Sequence, residues 1–209
     1  MFISFEGIDG VGKTTQISLL SNFLTEQSID HIVTQEPDAG NIGQKIREIT
    51  CYEDKIDIDT ELLLFIAARN EHYKTLILPA LQQNKIVLCD RFIHSTIAYQ
   101  TINFSDNISK DRIDFILNLH NSLHINSPDL TFLLYSDNIH SIQNRVLKRK
   151  EMSKYDKKDL DYHTKLQNIF KRNIDILGNN TCSIEVSKTE REILKEIICN
   201  SSVNLTSSM

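Results

Sequence analysis

Hydrophobic positions in this chain follow two patterns: short continuous apolar runs, and longer segments with apolar residues three or four positions apart. The first pattern is typical of strands buried on both faces, and the second of helices that bury one side. The apolar runs predict five strands, at 2–5, 29–35, 86–89, 130–135 and 182–186. The spaced positions predict helices at 15–27, 42–49, 60–83, 141–150, 160–177 and 189–198, and two more that are separated by 103–109.

The alternation of these elements predicts an α/β fold with three layers, a five-stranded parallel sheet carrying helices on both faces. One domain is expected over 1–200, followed by a Ser- and Asn-rich flexible tail at 201–209. Thr60 is the predicted N-terminal cap of the longest helix, and Pro79 predicts a kink or break near its end. Ligands of such sheets bind at the carboxyl ends of the strands, so polar residues at those ends are candidates for a site.

Composition excludes several classes of protein. The 209 residues are 40% hydrophobic and 24% charged, with a formal net charge of −5, which argues against a protein that coats nucleic acid. No apolar run is long enough to span a bilayer, and residues 1–6 lack the features of a signal peptide. The four cysteines are scattered without a C-x-x-C pair and no zinc-ligand spacing is found, which predicts reduced thiols in a cytoplasmic protein.

The first strand leads into a glycine-rich motif of the form G-x-x-x-x-G-K-T, which starts at Gly7 and ends at Thr14. A strand before it and a helix after it are the context of a P-loop, whose backbone N–H groups surround nucleotide phosphates. Lys13 is expected to reach the β- and γ-phosphates of ATP, and Thr14 to hold Mg²⁺. The alternative is an ordinary glycine-rich turn. The predicted ATP-binding residues are Gly7, Ile8, Asp9, Gly10, Val11, Gly12, Lys13, Thr14 and Thr15.

The strand at 86–89 is followed by Asp90 and Arg91. An acid at this strand end can orient Mg²⁺, and an arginine beside it suits a second anionic substrate or a transition state with spread charge. The segment lacks the D-x-x-G turn of switch GTPases, and Asn84-Lys85 is not part of an N-K-x-D guanine-reading segment. A structural ion pair at the strand end is the alternative interpretation.

Two weaker patterns gain meaning from these motifs. Phe65 and Arg69 are four positions apart and share one helix face, where an aromatic ring and a planar donor can stack on a base and read its edge. A core phenylalanine and a solvated arginine would have the same spacing. The segment 141–158 is rich in Lys and Arg, which is typical of a solvated face or of a mobile lid that closes over phosphates.

Four segments of the chain resemble the thymidylate kinase family, whose members make dTDP from dTMP and ATP for dTTP synthesis. The first reads F-E-G-I-D-G-V-G-K-T-T-Q and starts at Phe5. The second is E-P, starting at Glu36, followed by I-R, which ends at Arg47. The third is L-F-I-A-A-R, which ends at Arg69, and the fourth is D-R-F-I-H-S-T-I-A-Y-Q, from Asp90 to Gln100. The last string is the most specific, because other nucleotide kinases lack it. Beyond residue 130 the chain agrees with the family in pattern rather than in residues.

The resemblance implies a P-loop kinase fold with a mobile basic lid at about 148–160, a homodimer, Mg²⁺ as cofactor and ATP as co-substrate. Asp9 would hold the sugar, Arg47 and Arg91 the acceptor phosphate, and Phe65 the thymine ring, with Arg69 and Gln100 at its edge and Tyr99 against the deoxyribose. The implied dTMP-binding residues are Asp9, Glu36, Arg47, Phe65, Arg69, Arg91, Ser95, Thr96, Tyr99 and Gln100. The implied catalytic residues are Lys13, Asp90, Arg91, Arg149 and Lys154, and the implied metal ligands are Thr14 and Asp90.

The lid departs from the family. Where the family often has D-R-x-E, this chain has S-K-Y-D from Ser153 to Asp156. Lysine lacks the bidentate fork with which arginine binds a phosphate. Two alternatives remain open: another nucleoside or deoxynucleoside monophosphate kinase, or a nucleotide-binding regulator that has lost phosphoryl transfer.

Overall fold

The apolar runs form one sheet in which every pair of neighbouring strands is parallel. A computed structural model describes residues 1–53, 55–148, 152–178 and 180–201. Within them the sheet has five strands, in the spatial order β2-β3-β1-β4-β5. The strands are β1 (Phe2–Glu6), β2 (His31–Gln35), β3 (Ile86–Asp90), β4 (Leu130–Tyr135) and β5 (Asn180–Glu185). The three-layer α/β prediction is confirmed, with each strand boundary within two residues of its predicted position.

Helices connect the strands and cover the sheet. They are α1 (Lys13–Glu26), α2 (Gly40–Tyr52), α3 (Ile58–His72), α4 (Leu78–Gln82), α5 (Ile93–Thr101), α6 (Asp106–Ser122), α7 (Ile139–Val146), α8 (Leu160–Asn173) and α9 (Glu190–Ser201). A π-helical segment (Tyr73–Ile77) joins α3 to α4, and a 3₁₀ turn (Ile174–Leu177) follows α8. No helix in the described part of the chain is both long and apolar enough to cross a membrane.

The longest predicted helix, at 60–83, is divided into three pieces. Its cap is Asp57 rather than Thr60, because the Asp57 carboxylate accepts hydrogen bonds from the backbone N–H groups of Asp59 and Thr60. The wider π-helical turn ends just before α4, whose first turn contains Pro79. Proline lacks an N–H and its ring crowds the carbonyl four residues earlier, so a break before Pro79 relieves both effects.

Other boundaries differ by a few residues where the local pattern is ambiguous. The loop predicted at 52–59 is shorter, since α2 reaches Tyr52 and α3 starts at Ile58. The helix predicted at 141–150 starts earlier and ends at Val146; residues 149–151 lie outside the described ranges. The predicted tail begins with Ser201, which ends α9 and is buried, whereas 202–209 lie outside the described ranges.

The core lies in two layers because successive side chains of a strand point to opposite faces of the sheet. From β1, Ile3 and Phe5 pack among residues of α1, α8 and α9, while Phe2 packs on the face that carries α3, α5 and α6. From β3, Leu88 joins the first layer and Val87 the second. Strands buried on both faces leave only their ends available to a ligand.

The register places the functional motifs beside one another. In the pairing of β1 with β3, Phe5 lies opposite Asp90, so the loop after β1 and the acid at the end of β3 meet at one edge of the sheet. The strand order also reverses at β1, since β3 lies on one side of it and β4 on the other. A crevice outside such a reversal is where open α/β sheets bind their ligands.

Candidate active site

The loop between β1 and α1 turns at three glycines with positive φ angles. Gly7, Gly10 and Gly12 have φ angles of 131°, 78° and 106°, in the left-handed region that glycine adopts without a side-chain clash. At Gly7 a Cβ would also lie 2.2 Å from the Leu134 carbonyl oxygen. The Lys13 ammonium donates to the carbonyl oxygens of Gly7 and Ile8, both at 3.1 Å. The side chains of Ile8 and Val11 are buried in the core, so only their backbone faces the loop.

Lys13 is held in a buried position with a lowered pKa. It is 6% exposed, and burial together with the nearby Arg91 guanidinium lowers the pKa of its amine to about 8. The Asp90 carboxylate, 4.0 Å away, acts in the opposite direction. An ammonium that contacts the carbonyl oxygens of a glycine-rich loop is placed to bind phosphate oxygens beside that loop.

Thr14 and Asp90 provide oxygen ligands of the type that Mg²⁺ prefers. The Thr14 hydroxyl donates to Asp90 Oδ2 over 2.8 Å, across the space between α1 and β3. Asp90 Oδ1 is buried and has no hydrogen-bond partner in the described part of the chain. The residues therefore fit a hard cation that binds beside the phosphate loop.

Arg91 connects the phosphate loop to a second pocket. Its Nη1 donates to the Gly7 carbonyl at 3.1 Å and to Ser95 Oγ at 3.0 Å, and its Nη2 donates to Asp9 Oδ1 at 2.9 Å. Its backbone has a φ of 73°, an uncommon conformation for a residue with a side chain. Tyr99 donates its hydroxyl to the other oxygen of Asp9 at 2.8 Å. The guanidinium is therefore anchored by several partners rather than free to rotate.

Glu6, at the end of β1, is a buried carboxyl that is not among the predicted site residues. It is fully buried and accepts hydrogen bonds from the Phe92 backbone N–H at 2.7 Å and the Ser95 hydroxyl at 2.6 Å. Burial raises the pKa of Glu6 to about 7, against the opposing effects of Ser95 and Arg91. An acidic residue at the end of an apolar strand, directly before the motif, was the available signal.

The second pocket brings together nearly all residues expected at the acceptor nucleotide. Phe65 of α3, Tyr99 of α5 and Tyr155 form aromatic walls around it. Pro37, Cys51, Phe92, Ser153, Tyr155 and Asp156 were not expected there. The full lining is Asp9, Glu36, Pro37, Arg47, Cys51, Phe65, Arg69, Arg91, Phe92, Ser95, Thr96, Tyr99, Ser153, Tyr155 and Asp156.

Arg69 is fixed in this pocket by a buried carboxylate. Its Nε and Nη2 donate to Glu36 Oε2 at 2.9 and 2.7 Å, and Nη2 also donates to Thr96 at 2.8 Å. Burial opposes ionisation of Glu36, but Arg69 and His72 together lower the pKa of this carboxyl below its usual range. Arg69 Nη1 is buried and has no hydrogen-bond partner among the described residues, which leaves a donor for a ligand.

His72 supports Glu36 from the side away from Arg69. Its Nδ1 lies 3.2 Å from Glu36 Oε1, and its Nε2 lies 2.7 Å from the Thr34 hydroxyl. A carboxylate only accepts hydrogen bonds, so Nδ1 carries the proton in the neutral ring and Thr34 donates to Nε2. The chain Thr34–His72–Glu36–Arg69 is buried throughout.

Gln100 does not line the pocket, in contrast to its predicted position at the base edge. Its side chain is fully buried; its Nε2 donates to Glu61 Oε2 at 2.7 Å and its Oε1 accepts from Arg112 at 3.0 Å. One helical step of about 100° separates it from Tyr99, and that rotation turns the amide towards the start of α3.

Of the two predicted lid cations, Lys154 and Arg149, only Lys154 lies in the described part of the chain. Lys154 pairs with Glu61 at 2.6 Å rather than with the phosphate loop, and Arg149 lies outside the described residues. Arg145 of α7, part of the same basic run, lines the cavity beside the phosphate loop. That cavity is lined by Asp9, Gly10, Gly12, Lys13, Thr14, Thr15, Gln35, Glu36, Asp38, Arg47, Asp90, Arg91 and Arg145.

Comparisons with known proteins show the family of this chain. The family model described as thymidylate kinase matches residues 5–197. A thymidylate kinase of Wolbachia pipientis subsp. Culex pipiens (strain wPip) is 39% identical over 203 residues, which are 95% of this chain and 94% of that protein. A thymidylate kinase of Rickettsia bellii (strain RML369-C) is 36% identical over 198 residues, 94% of this chain and 93% of that protein.

A solved structure extends the similarity to the fold. The crystal structure of thymidylate kinase from Ehrlichia chaffeensis matches with a TM-score of 0.74 and 29% identity, and the match covers 95% of this chain and 97% of that one. The family model's match, residues 5–197, contains the phosphate loop, the Asp90–Tyr99 segment and the residues that line the aromatic pocket. By sequence and fold, the chain belongs to the thymidylate kinase family.

Proposed function

We propose that the protein transfers the γ-phosphoryl group of ATP to dTMP and so makes dTDP. The observation that carries this proposal is the position of Arg91, whose guanidinium lies between the phosphate loop at Gly7 and the pocket that contains Phe65 and Arg69. A cation at the boundary of two anion sites is where a transferring phosphoryl group would lie.

The donor phosphates belong to the cavity around the phosphate loop. Gly7 to Thr15 surround them, and the Lys13 ammonium contacts the β- and γ-phosphates in place of the two carbonyl oxygens that it contacts here. Thr14 and Asp90 would hold Mg²⁺, which when bound neutralises phosphate charge and aligns the oxygens. Arg145 extends from α7 into the same cavity and supplies a further positive charge.

The acceptor belongs to the second pocket. Arg47 and Arg91 bind its phosphate, Phe65 stacks on the base, and the unpaired Nη1 of Arg69 donates to a base carbonyl. Asp9 and Tyr99 lie where the deoxyribose would pack, and Ser95, Thr96 and Glu36 hold the arginines in place. Gln100 acts on this pocket through Glu61 in the described geometry, and its direct contact with the base remains a prediction.

The chemistry needs positioning and charge neutralisation more than a general base. The acceptor oxygen belongs to a phosphate that is already ionised at neutral pH, so the main barrier is the approach of two polyanions. Lys13, Arg91 and Arg145 line the cavity where that charge accumulates. Catalytic roles for Arg149 and Lys154 in the lid remain predictions.

We infer that the protein forms a homodimer in the cytoplasm. The family resemblance implies packing of dimers through the long helices, for which Leu63, Ile66 and Ile77 are the candidate apolar positions. Ile66 and Ile77 are buried in the core, whereas Leu63 of α3 is 52% exposed. The exposure of Leu63 supports an interface that includes α3. Light scattering after gel filtration should give twice the 24.1 kDa chain mass, and a monomeric species for Leu63→Glu; a monomeric unsubstituted protein would contradict the inference.

The reaction is tested by ADP release with ATP and Mg²⁺, offering dTMP, dUMP, dCMP, dGMP and AMP separately. We expect turnover with dTMP well above the others and its loss in Arg91→Ala. Preferred turnover of another monophosphate would support a different nucleotide kinase and contradict the assignments at Phe65 and Arg69. Binding of ATP without turnover of any acceptor would favour the regulatory alternative.

A further inference from the structure

Glu61 is a nearly buried carboxylate in the first turn of α3 that receives three side-chain hydrogen bonds. It is 7% exposed. The Lys154 ammonium donates to its Oε1 at 2.6 Å, the Tyr155 hydroxyl donates to the same oxygen at 2.7 Å, and the Gln100 amide donates to Oε2 at 2.7 Å. Each distance is at the short end of the range for its type, as expected when the acceptor is ionised.

The donors belong to parts of the chain that are far apart in sequence. Lys154 and Tyr155 lie in the segment 152–158, here called the lid segment, while Gln100 belongs to α5. Arg112 of α6 in turn donates to Gln100 Oε1 and pairs with Asp59 at 2.7 Å. It therefore holds Gln100 in place beside the first turn of α3, which contains Glu61. Glu61 is thus a fixed point to which the lid segment is attached.

The lid segment has a second attachment nearby. The Lys154 backbone N–H donates to the Cys51 carbonyl at the end of α2, at 2.9 Å. Both contacts hold Tyr155 against the pocket, where its ring centroid lies 5.0 Å from that of Tyr99 in an edge-to-face arrangement. Ser153 and Asp156 line the same pocket. One wall of the nucleotide pocket therefore exists only while the lid segment is attached.

We propose that Glu61 is a positioning residue that docks the lid segment on the nucleotide pocket, with Lys154 as the anchor of the segment. The ammonium of Lys154 is largely desolvated, with 19% of its side chain exposed, so its charge needs the carboxylate that it contacts. The inference rests on the proposed function in one respect, that this pocket binds dTMP. It assigns Lys154 to closure of the pocket rather than to charge on the transferring phosphoryl group.

The first test compares Glu61→Gln with the parent protein by hydrogen exchange, without any nucleotide. Gln keeps the shape of Glu but loses the charge that strengthens the bonds to Lys154 and Tyr155. Loss of one charge-assisted bond should speed exchange of the Lys154 amide about tenfold. The matched control is Glu71→Gln, a carboxylate farther along the same helix, which should leave that amide unchanged. Unchanged exchange in Glu61→Gln would overturn the proposal whatever the enzyme's substrate.

The second test uses steady-state kinetics with dTMP. We expect Glu61→Gln and Lys154→Met each to raise the KM for dTMP by about tenfold with a smaller effect on kcat. The double variant should be little worse than either single variant, because both remove one interaction. A large fall of kcat in Lys154→Met, with KM unchanged and additive effects in the double variant, would overturn the proposal and assign Lys154 to the reacting phosphates.

Discussion

Arg91 and Asp9 meet across the site, with the Arg91 Nη2 2.9 Å from Asp9 Oδ1. Asp9 lies within the phosphate loop and Arg91 follows the neighbouring strand β3, so the ion pair spans the boundary between the two cavities. Tyr99 holds the other oxygen of Asp9 through its hydroxyl. The carboxylate thereby orients a guanidinium that lines both cavities.

Replacing Arg91 with Ala should lower kcat/KM for dTMP by about a hundredfold to a thousandfold, the usual effect of removing one donor to transition-state charge. Arg91→Lys should recover only part of this loss, since lysine has no planar fork and cannot contact Gly7, Ser95 and Asp9 together. Coupled ADP release with saturating ATP measures both variants. Equal activity of the parent protein and Arg91→Ala would remove Arg91 from the mechanism.

Replacing either predicted metal ligand should raise the Mg²⁺ concentration that gives half-maximal activity. For Asp90→Asn and Thr14→Val we expect an increase of about tenfold or more, because each loses an oxygen that fits a hard cation. Calorimetric titration of Mg²⁺ and ATP provides a measurement independent of turnover. Thr25→Val, a surface threonine on the same helix, is the control and should titrate like the parent protein.

Glu6 should make stability depend on pH in a direction opposite to that of most carboxylates. Its pKa rises from 4.5 to about 7 on folding, so the folded state holds the proton more tightly between these values. The resulting contribution to stability is complete below pH 4.5 and is lost as pH rises through about 7, a change of about 3 kcal/mol.

Urea unfolding of the parent protein and Glu6→Gln across this pH range isolates that contribution. The free energy of unfolding of the parent, relative to Glu6→Gln, should fall as pH rises from about 5 to about 8. The same comparison with Glu48→Gln, an exposed carboxylate on α2, removes general effects of charge. A flat difference between the parent protein and Glu6→Gln would show that Glu6 ionises normally in the folded protein.

His72→Leu should weaken dTMP binding although His72 does not line the nucleotide pocket. Losing Nδ1 leaves Glu36 Oε1 without its donor, and Glu36 then positions Arg69 less well. We expect the KM for dTMP to rise about tenfold, and discrimination against dCMP to fall, with less change in kcat. His163→Leu, a buried histidine of α8 outside the pocket lining, is the matched control and should change stability alone.

The elements of the fold were readable from the chain because their signals are local. A continuous apolar run such as that of β3 is compatible with burial on both faces, and the spacing of glycines at 7, 10 and 12 needs only a strand before it and a helix after it. The sequence also predicts a break near Pro79, because proline disrupts the helical turn that precedes it. The cap of α3 was misplaced because Asp57 and Thr60 have similar capping chemistry and only backbone geometry distinguishes them.

Polar partners across the molecule were not readable in the same way. The helical pattern placed Gln100 one step from Tyr99 on α5, but only the packing of α5 beside α3 and α6 decides that its amide meets Glu61 and Arg112. Lys154 was one of several lysines in a basic run, and only the packing of the lid segment on α3 selects its partner. Glu6 and His72 were not among the predicted site residues, because their importance comes from buried hydrogen bonds, of Glu6 with Ser95 and of His72 with Glu36.

The sequence by itself determined the succession of strands and helices along the chain, the phosphate loop, the Asp90–Arg91 pair and the family to which the chain belongs. These features depend on residue types at short, fixed spacings. Only the tertiary structure decided which side chains of distant elements meet: Arg91 with Asp9, His72 with Glu36, and the lid segment with Glu61. The reason is that hydrogen bonds and ion pairs act over a few ångströms, and only the packed helices and sheet set those distances.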